Sequence, residues 1–183
     1  MQSVDARLRL AQLTDRGLGI VMHNLPVEQR IDPTLGSKLR LHFQPVVSMD
    51  GDIVGAEALL RCRDPRGDLL GPEVALRQAA ARGQAWQVGR WVIREAIRER
   101  SRWPDDLFIT INLAPEQLRH PDLVELIDEA TATYGVDPTD IWLEVTELTP
   151  IDAGASATAL TQLRVRGVRI ALDDFGAGYA SFA

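Results

Sequence analysis

Two apolar stretches near the start of the folded part of the chain predict a β-hairpin. They cover residues 39–47 and 52–60, and only Ser48-Met49-Asp50-Gly51 separates them. An Asp-Gly pair between two strand-like stretches is a strong hairpin signal. The first two strands should therefore run antiparallel.

From residue 71 onward, helical and strand patterns follow one another. Helices are predicted at 72 to about 82, 85–102, a short stretch from 115, 121 to about 134, and 152–166. Strands are predicted at 107–112, 141–146 and 168–173. Repeated strand–helix units favour a parallel sheet with helices packed outside it, as a barrel or as an open sheet. The predicted fold class is α/β.

The first 38 residues show a different pattern. A short helix is predicted at 3–16, and the segment after it contains Pro26, Pro33 and Gly36 without a sustained period. Such a segment is typical of a linker or a wrapping arm. We therefore divide the chain into an N-terminal helix and linker, 1–38, and an α/β domain, 39–183.

Polar side chains interrupt four of the predicted strands. Three of them are Glu57, Asn112 and Glu144. In the fourth strand the apolar run 168–172 ends in two adjacent carboxylates, Asp173 and Asp174. In repeated strand–helix folds the carboxyl ends of the strands carry the ligand-binding groups. Oxygen donors brought together there suit a hard cation such as Mg²⁺ or Mn²⁺. The alternative is that Glu57 and Glu144 pair with arginines while Asn112 satisfies backbone groups.

Composition narrows the functional classes. The chain has 183 residues, 45% of them hydrophobic and 25% charged, which is typical of a globular domain. Its net charge of -6 argues against nonspecific DNA or RNA binding, which needs a basic surface. Cys62 is the only cysteine, and no signal peptide or membrane-spanning run is evident, so a cytoplasmic location is expected.

Five short motifs, taken together and in order, resemble the EAL domain of bacterial cyclic di-GMP phosphodiesterases. They are Phe43-Gln44-Pro45-Val46-Val47, the signature Glu57-Ala58-Leu59-Leu60-Arg61, Ile111-Asn112-Leu113-Ala114, Leu143-Glu144-Val145-Thr146-Glu147, and Asp173-Asp174-Phe175-Gly176-Ala177-Gly178-Tyr179. The Asp-Phe-Gly within the last motif also occurs in protein kinases, but no kinase glycine-rich loop or His-Arg-Asp loop precedes it.

The resemblance implies a TIM-like (β/α) barrel with an antiparallel first strand and a metal-dependent hydrolysis of cyclic di-GMP to the linear dinucleotide pGpG. It implies that Glu57, Asn112, Glu144 and Asp173 bind one Mg²⁺ or Mn²⁺ ion and that Asp174 binds a second. Gln44 and Arg61 match the family's contacts to the dinucleotide.

The sequence ends at Ala183, before the family's later Lys-Ile-Asp and Ala-Glu-Gly-Val-Glu segments. About five of eight barrel strands are then present, and we expect this chain to have little or no activity by itself. A second copy or a partner chain is expected to cover the open barrel edge. The alternative function is a non-catalytic nucleotide-binding or protein-docking module derived from an EAL domain.

Overall fold

The computed structural model describes residues 31, 35, 38–64, 66–146 and 154–173, with Thr146 and Asp173 described only in their backbone. The strands in this part are β1 Leu39–Val47, β2 Ile53–Arg63, β3 Leu69–Leu70, β4 Phe108–Asn112, β5 Ile141–Thr146 and β6 Arg169–Asp173. The helices are α1 Pro72–Ala81, α2 Ala85–Arg100, α3 Pro115–Leu118, α4 Leu123–Tyr134 and α5 Ala155–Val165, with a 3₁₀ turn at Pro138–Asp140. The predicted helix at 3–16 lies outside the described residues.

The hairpin predicted from the Asp-Gly turn is confirmed. β1 and β2 pair antiparallel from Leu39 opposite Cys62 to Val47 opposite Ile53. Gly51 has φ +85, which an L-residue with a side chain rarely adopts, and its N–H donates to the Ser48 carbonyl at 3.0 Å.

The strands after the hairpin pair in parallel, as the strand–helix rhythm predicts. The sheet order is β1-β2-β4-β5-β6, and β3 pairs with β2. The pairs β2–β4, β4–β5 and β5–β6 are all parallel. The predicted α/β class with an antiparallel first strand is therefore confirmed.

The main departures of the sheet from the prediction are at β2 and β3. β2 runs to Arg63 rather than ending at residue 60, because Leu60 and Cys62 continue the buried alternation through two arginines. The two-residue strand β3, which pairs with Cys62 and Arg63, was not predicted. Its residues form too short a run to show a period, so only pairing with β2 defines it as a strand.

The hydrophobic core lies between one face of the sheet and the helices. Ala56 and Ala58 of β2, Ile109 and Ile111 of β4, and Leu143 of β5 are almost wholly buried there. α2 contributes Val88, Ile93, Ala96 and Ile97 to the same core. Because side chains alternate along a strand, the residues between these positions lie on the opposite face, here called the inner face. No helix in the described ranges is both long enough and apolar enough to cross a membrane.

Candidate functional site

The carboxylate of Glu57 and the amide of Asn112 meet on the inner face across β2 and β4. Asn112 Nδ2 donates a hydrogen bond of 2.8 Å to Glu57 Oε1. Glu57 lies opposite Thr110 in the parallel register, so Asn112 reaches it from two residues further along β4. The alternative interpretation of the sequence was that Asn112 satisfies backbone groups. In this contact Asn112 instead binds Glu57, a side chain of the predicted set. The bond uses the amide nitrogen, whereas a hard cation binds the amide oxygen.

Glu144 lies level with Asn112 on the neighbouring strand. The two residues are register partners in the parallel pair β4–β5. Leu143 and Val145 are fully buried in the core, so alternation places the half-buried Glu144 on the inner face. The Leu113 N–H donates to the Glu144 carbonyl at 2.8 Å, which continues the pairing past the end of β4 and fixes the relative height of the strands.

Asp173 ends β6, where its backbone pairs in register with Thr146. Its side chain and the whole of Asp174 lie outside the described residues. Among the side chains that are described, no group of three or more His, Cys, Asp or Glu could hold a metal ion. The described part of the predicted set thus consists of two carboxylates and one amide.

These donors fit a hard divalent cation by their chemistry. Glu57, Asn112 and Glu144 are oxygen-bearing residues of the inner face, and the last residue of β6 is a fourth oxygen donor by type. Mg²⁺ and Mn²⁺ prefer carboxylate and carbonyl oxygens. The residues present are therefore suitable ligands for such an ion.

The two predicted dinucleotide contacts lie on the β1–β2 hairpin. Gln44 is exposed and directly opposite Glu57 in the antiparallel register. Arg61 is half-buried and four residues beyond Glu57, so both lie on the inner face. Arg61 Nη1 donates to the Leu60 carbonyl at 2.9 Å, which holds one edge of the guanidinium.

An aromatic layer on the inner face was not assigned a role from the sequence. The rings of Phe108 and Trp142 stack with centroids 4.5 Å apart, and the Arg169 guanidinium lies 5.2 Å from the Trp142 ring centroid. A Cβ at Gly55 would lie 2.5 Å from the Phe108 carbonyl oxygen, so this position admits only glycine. Phe108 and Trp142 precede Asn112 and Glu144 on their strands, and the layer forms a floor below the candidate site. The shared parity of these positions was the signal that could have indicated it.

His42 is a second inner-face residue that the sequence did not single out. It lies two positions from Gln44 on β1 and opposite Leu59. Burial lowers the pKa of His42, and the charges of Arg61 and Arg63 lower it further. The imidazole is thus held toward its neutral form beside a positively charged end of the hairpin.

Known proteins are similar to this chain in sequence and in fold. The profile of the family described as EAL domain matches residues 28–183. The chain is 41% identical over 150 residues to the bifunctional diguanylate cyclase/cyclic di-GMP phosphodiesterase MucR of Pseudomonas aeruginosa; the match covers 79% of this chain and 22% of MucR. The chain therefore spans about a fifth of the length of this relative.

Solved structures agree with the predicted barrel-type fold. The PaMucR phosphodiesterase in its c-di-GMP complex matches with a TM-score of 0.71 and 41% identity, over 79% of this chain and 61% of that chain. A calcium/cy-diGMP complex of BlrP1 from Klebsiella pneumoniae matches with a TM-score of 0.67 and 27% identity, over 87% of this chain and 42% of that chain. The mixed sheet and its helices are consistent with part of a TIM-like barrel. From its motifs, its strand order and these matches, the chain belongs to the EAL domain family.

Proposed function

We propose that this chain carries metal- and nucleotide-binding residues of a cyclic di-GMP phosphodiesterase site. The observation that carries the proposal is the 2.8 Å hydrogen bond between Asn112 and Glu57, with Glu144 in register beside Asn112. Residues from three separate strands contribute oxygen donors to the same face. A purely structural role would not require polar groups to be aligned across these strands.

The proposed metal ligands are Glu57, Asn112, Glu144 and Asp173, with Asp174 serving a second ion. When bound, Mg²⁺ or Mn²⁺ would supply a water of lowered pKa and charge stabilisation at the phosphate. Asn112 restrains the Glu57 carboxylate by donating a hydrogen bond to one of its two oxygens. Such restraint lowers the entropy lost when a ligand binds.

Gln44 and Arg61 are proposed to hold the dinucleotide. Gln44 is exposed directly across from Glu57, so a ligand at the carboxylate also contacts the amide. Arg61 presents a planar fork of N–H donors, which matches the oxygens of a phosphate.

Ion binding by the 183-residue chain tests the metal site. We expect a Mn²⁺ titration, monitored by calorimetry or electron paramagnetic resonance, to show that the wild type binds the ion. Glu57→Gln should weaken this binding at least about tenfold, because a charged ligand becomes neutral. Glutamine keeps an acceptor oxygen for Asn112, so the fold should be preserved. Glu116→Gln, which removes an exposed carboxylate in α3, is the matched control. Equal Mn²⁺ affinity in the Glu57 variant, the control and the wild type would sink the proposal.

The non-catalytic module remains the second candidate, and a product assay separates the two. Binding of cyclic di-GMP without formation of the linear dinucleotide would favour the module. The expectation that the 183-residue polypeptide is inactive stays a prediction. Turnover that is lost in Glu57→Gln would make it wrong. The cytoplasmic location and the lack of a nucleic-acid partner also stay predictions.

A further inference from the structure

One row of side chains on the inner face crosses the sheet at the level of Glu57. The strand registers place Gln44 opposite Glu57, Glu57 opposite Thr110, Thr110 opposite Trp142, and Trp142 opposite Arg169. Neighbouring strands lie about 4.8 Å apart, so each residue in the row is next to the following one. Thr110 therefore lies between the carboxylate residue of the candidate site and the tryptophan of the aromatic layer.

Two polar atoms in this row are buried and have no hydrogen-bond partner within the described part of the chain. They are the Thr110 hydroxyl oxygen, Oγ1, and the Trp142 indole nitrogen, Nε1. Thr110 as a whole is only 3% exposed. The buried hydroxyl of Thr131, in contrast, donates to the Ile127 carbonyl at 2.8 Å. Buried hydroxyl and indole groups are normally hydrogen-bonded, because an unpaired donor loses its hydration without compensation. Two unpaired donors on neighbouring strands therefore indicate a polar group that satisfies them.

The Glu57 carboxylate offers an acceptor for such a group. Asn112 Nδ2 donates to Glu57 Oε1, while Oε2 accepts no hydrogen bond from the described residues. Thr110 lies opposite Glu57 in the register but makes no direct hydrogen bond to it. A buried water molecule typically makes about three hydrogen bonds to polar groups that otherwise lack a partner. The Thr110 hydroxyl, the Trp142 N–H and Glu57 Oε2 supply that number.

We propose that Thr110 is a positioning residue, which holds the Glu57 carboxylate through a buried water molecule. The Thr110 hydroxyl and the Trp142 N–H donate to the water oxygen, and the water donates to Glu57 Oε2. The carboxylate is then held at both oxygens, by Asn112 at Oε1 and by the water at Oε2. Each oxygen keeps a lone pair for a cation, and outer partners of this kind orient a metal ligand. The link to metal binding rests on the proposed function, whereas the water itself does not.

Crystal structures of the 183-residue chain in EDTA test the water and the orientation of Glu57 without a metal. In the wild type we expect a water about 2.8 Å from both Thr110 Oγ1 and Glu57 Oε2. Thr110→Val keeps the side-chain shape but removes the hydroxyl, so the water should be lost and the Glu57 side chain should change its orientation or occupy several conformers.

A Mn²⁺ titration measures the consequence for the candidate metal site. We expect Thr110→Val to weaken Mn²⁺ binding about tenfold, because loss of an outer hydrogen-bond partner has an effect of this size on metal affinity. Thr110→Ser returns the hydroxyl and should recover most of the affinity. Thr131→Val is the matched control, since it removes a buried threonine hydroxyl from α4, away from the inner face.

The two measurements separate this proposal from the proposed function. Wild-type density without a water that joins Thr110 to Glu57, or a Glu57 side chain that is unchanged in Thr110→Val, overturns the positioning role. Equal Mn²⁺ affinity in Thr110→Val and Thr131→Val also overturns it, and so does a loss that Thr110→Ser does not recover, while the proposed function stands. If the water and its effect on Glu57 are seen but the wild type binds no Mn²⁺, the proposed metal site fails and the positioning role is retained.

Discussion

Asn112 and Glu57 are 55 residues apart in the sequence, yet Asn112 Nδ2 lies 2.8 Å from Glu57 Oε1. The parallel pairing of β2 and β4 brings them together, because Ala58 and Ile111 are register partners immediately beside them. The amide therefore supplies an N–H to a carboxylate on the face opposite the core.

Replacing this amide by a carboxylate should make stability depend on divalent ions. Asn112→Asp removes the donor and places a second negative charge beside Glu57. In EDTA we expect the free energy of unfolding to fall by about 1 kcal/mol, a modest value because Asn112 is exposed. Millimolar Mn²⁺ should restore the loss, since it binds only the folded site. Urea unfolding measures both, and Asn112→Ala, which adds no charge, should recover less. An Asp variant that responds to Mn²⁺ no more than the alanine control would contradict this prediction.

Removing one partner of the ion pair between Arg100 and Asp140 should destabilise the fold. The Arg100 side chain is 4% exposed, and its Nη2 donates to Asp140 Oδ2 at 2.8 Å and to the Asp105 carbonyl at 3.1 Å. It joins the end of α2 to the turn that precedes β5. We expect Arg100→Met to lower the free energy of unfolding by about 3 kcal/mol, because a partly buried carboxylate loses its partner. Adding Asp140→Asn should recover part of this loss in a double-mutant cycle. Purely additive losses would show that the two side chains are not coupled.

Asp137 should stabilise the fold in a pH-dependent way. Its Oδ1 accepts hydrogen bonds from the Thr139 N–H at 2.8 Å and the Thr139 hydroxyl at 2.7 Å, and these bonds lower its pKa below the ordinary 3.8. A carboxyl with a lowered folded-state pKa contributes stability above its unfolded value and loses it as the pH falls through the folded value. Asp137→Ala should therefore be less stable than the wild type at pH 7. The difference should shrink below pH 3.8, whereas Asp137→Asn, which keeps an acceptor, should lose less at pH 7. Urea unfolding at pH 7 and at a pH below 3.8 measures the free energy of unfolding of each variant. A loss of stability in Asp137→Ala that is the same at both pH values would refute the argument.

We predict that the chain self-associates through the edge at β6. In the described part of the chain β6 pairs only with β5, and Leu172 and Val165 are 54% and 82% exposed. Exposed apolar side chains beside an edge strand favour association. Leu172→Lys should reduce the apparent mass in sedimentation velocity, while Leu76→Lys on α1, 42% exposed, should not. A wild type that sediments as a single monomeric species would show the prediction to be wrong.

The sequence by itself determined the order and type of the main elements. The Asp-Gly turn defined the hairpin, and the alternation of Leu143 and Val145 with Glu144 separated the core face from the inner face, because these are properties of neighbouring residues. The five motifs indicated the EAL family for the same reason. Asp174 and the N-terminal helix lie outside the described residues, so these two predictions remain untested.

The tertiary structure alone decided which side chains meet. Alternation assigns a residue to a face, but strand order and register determine its neighbour across the sheet. The bond from Asn112 to Glu57, the ring stack of Phe108 on Trp142 and the opposition of Arg40 to Arg61 all depend on that register. The ion pair of Arg100 with Asp140 depends likewise on how α2 packs against the turn before β5. None of these partners is a neighbour in the sequence, and a shared face does not by itself tell which two residues meet.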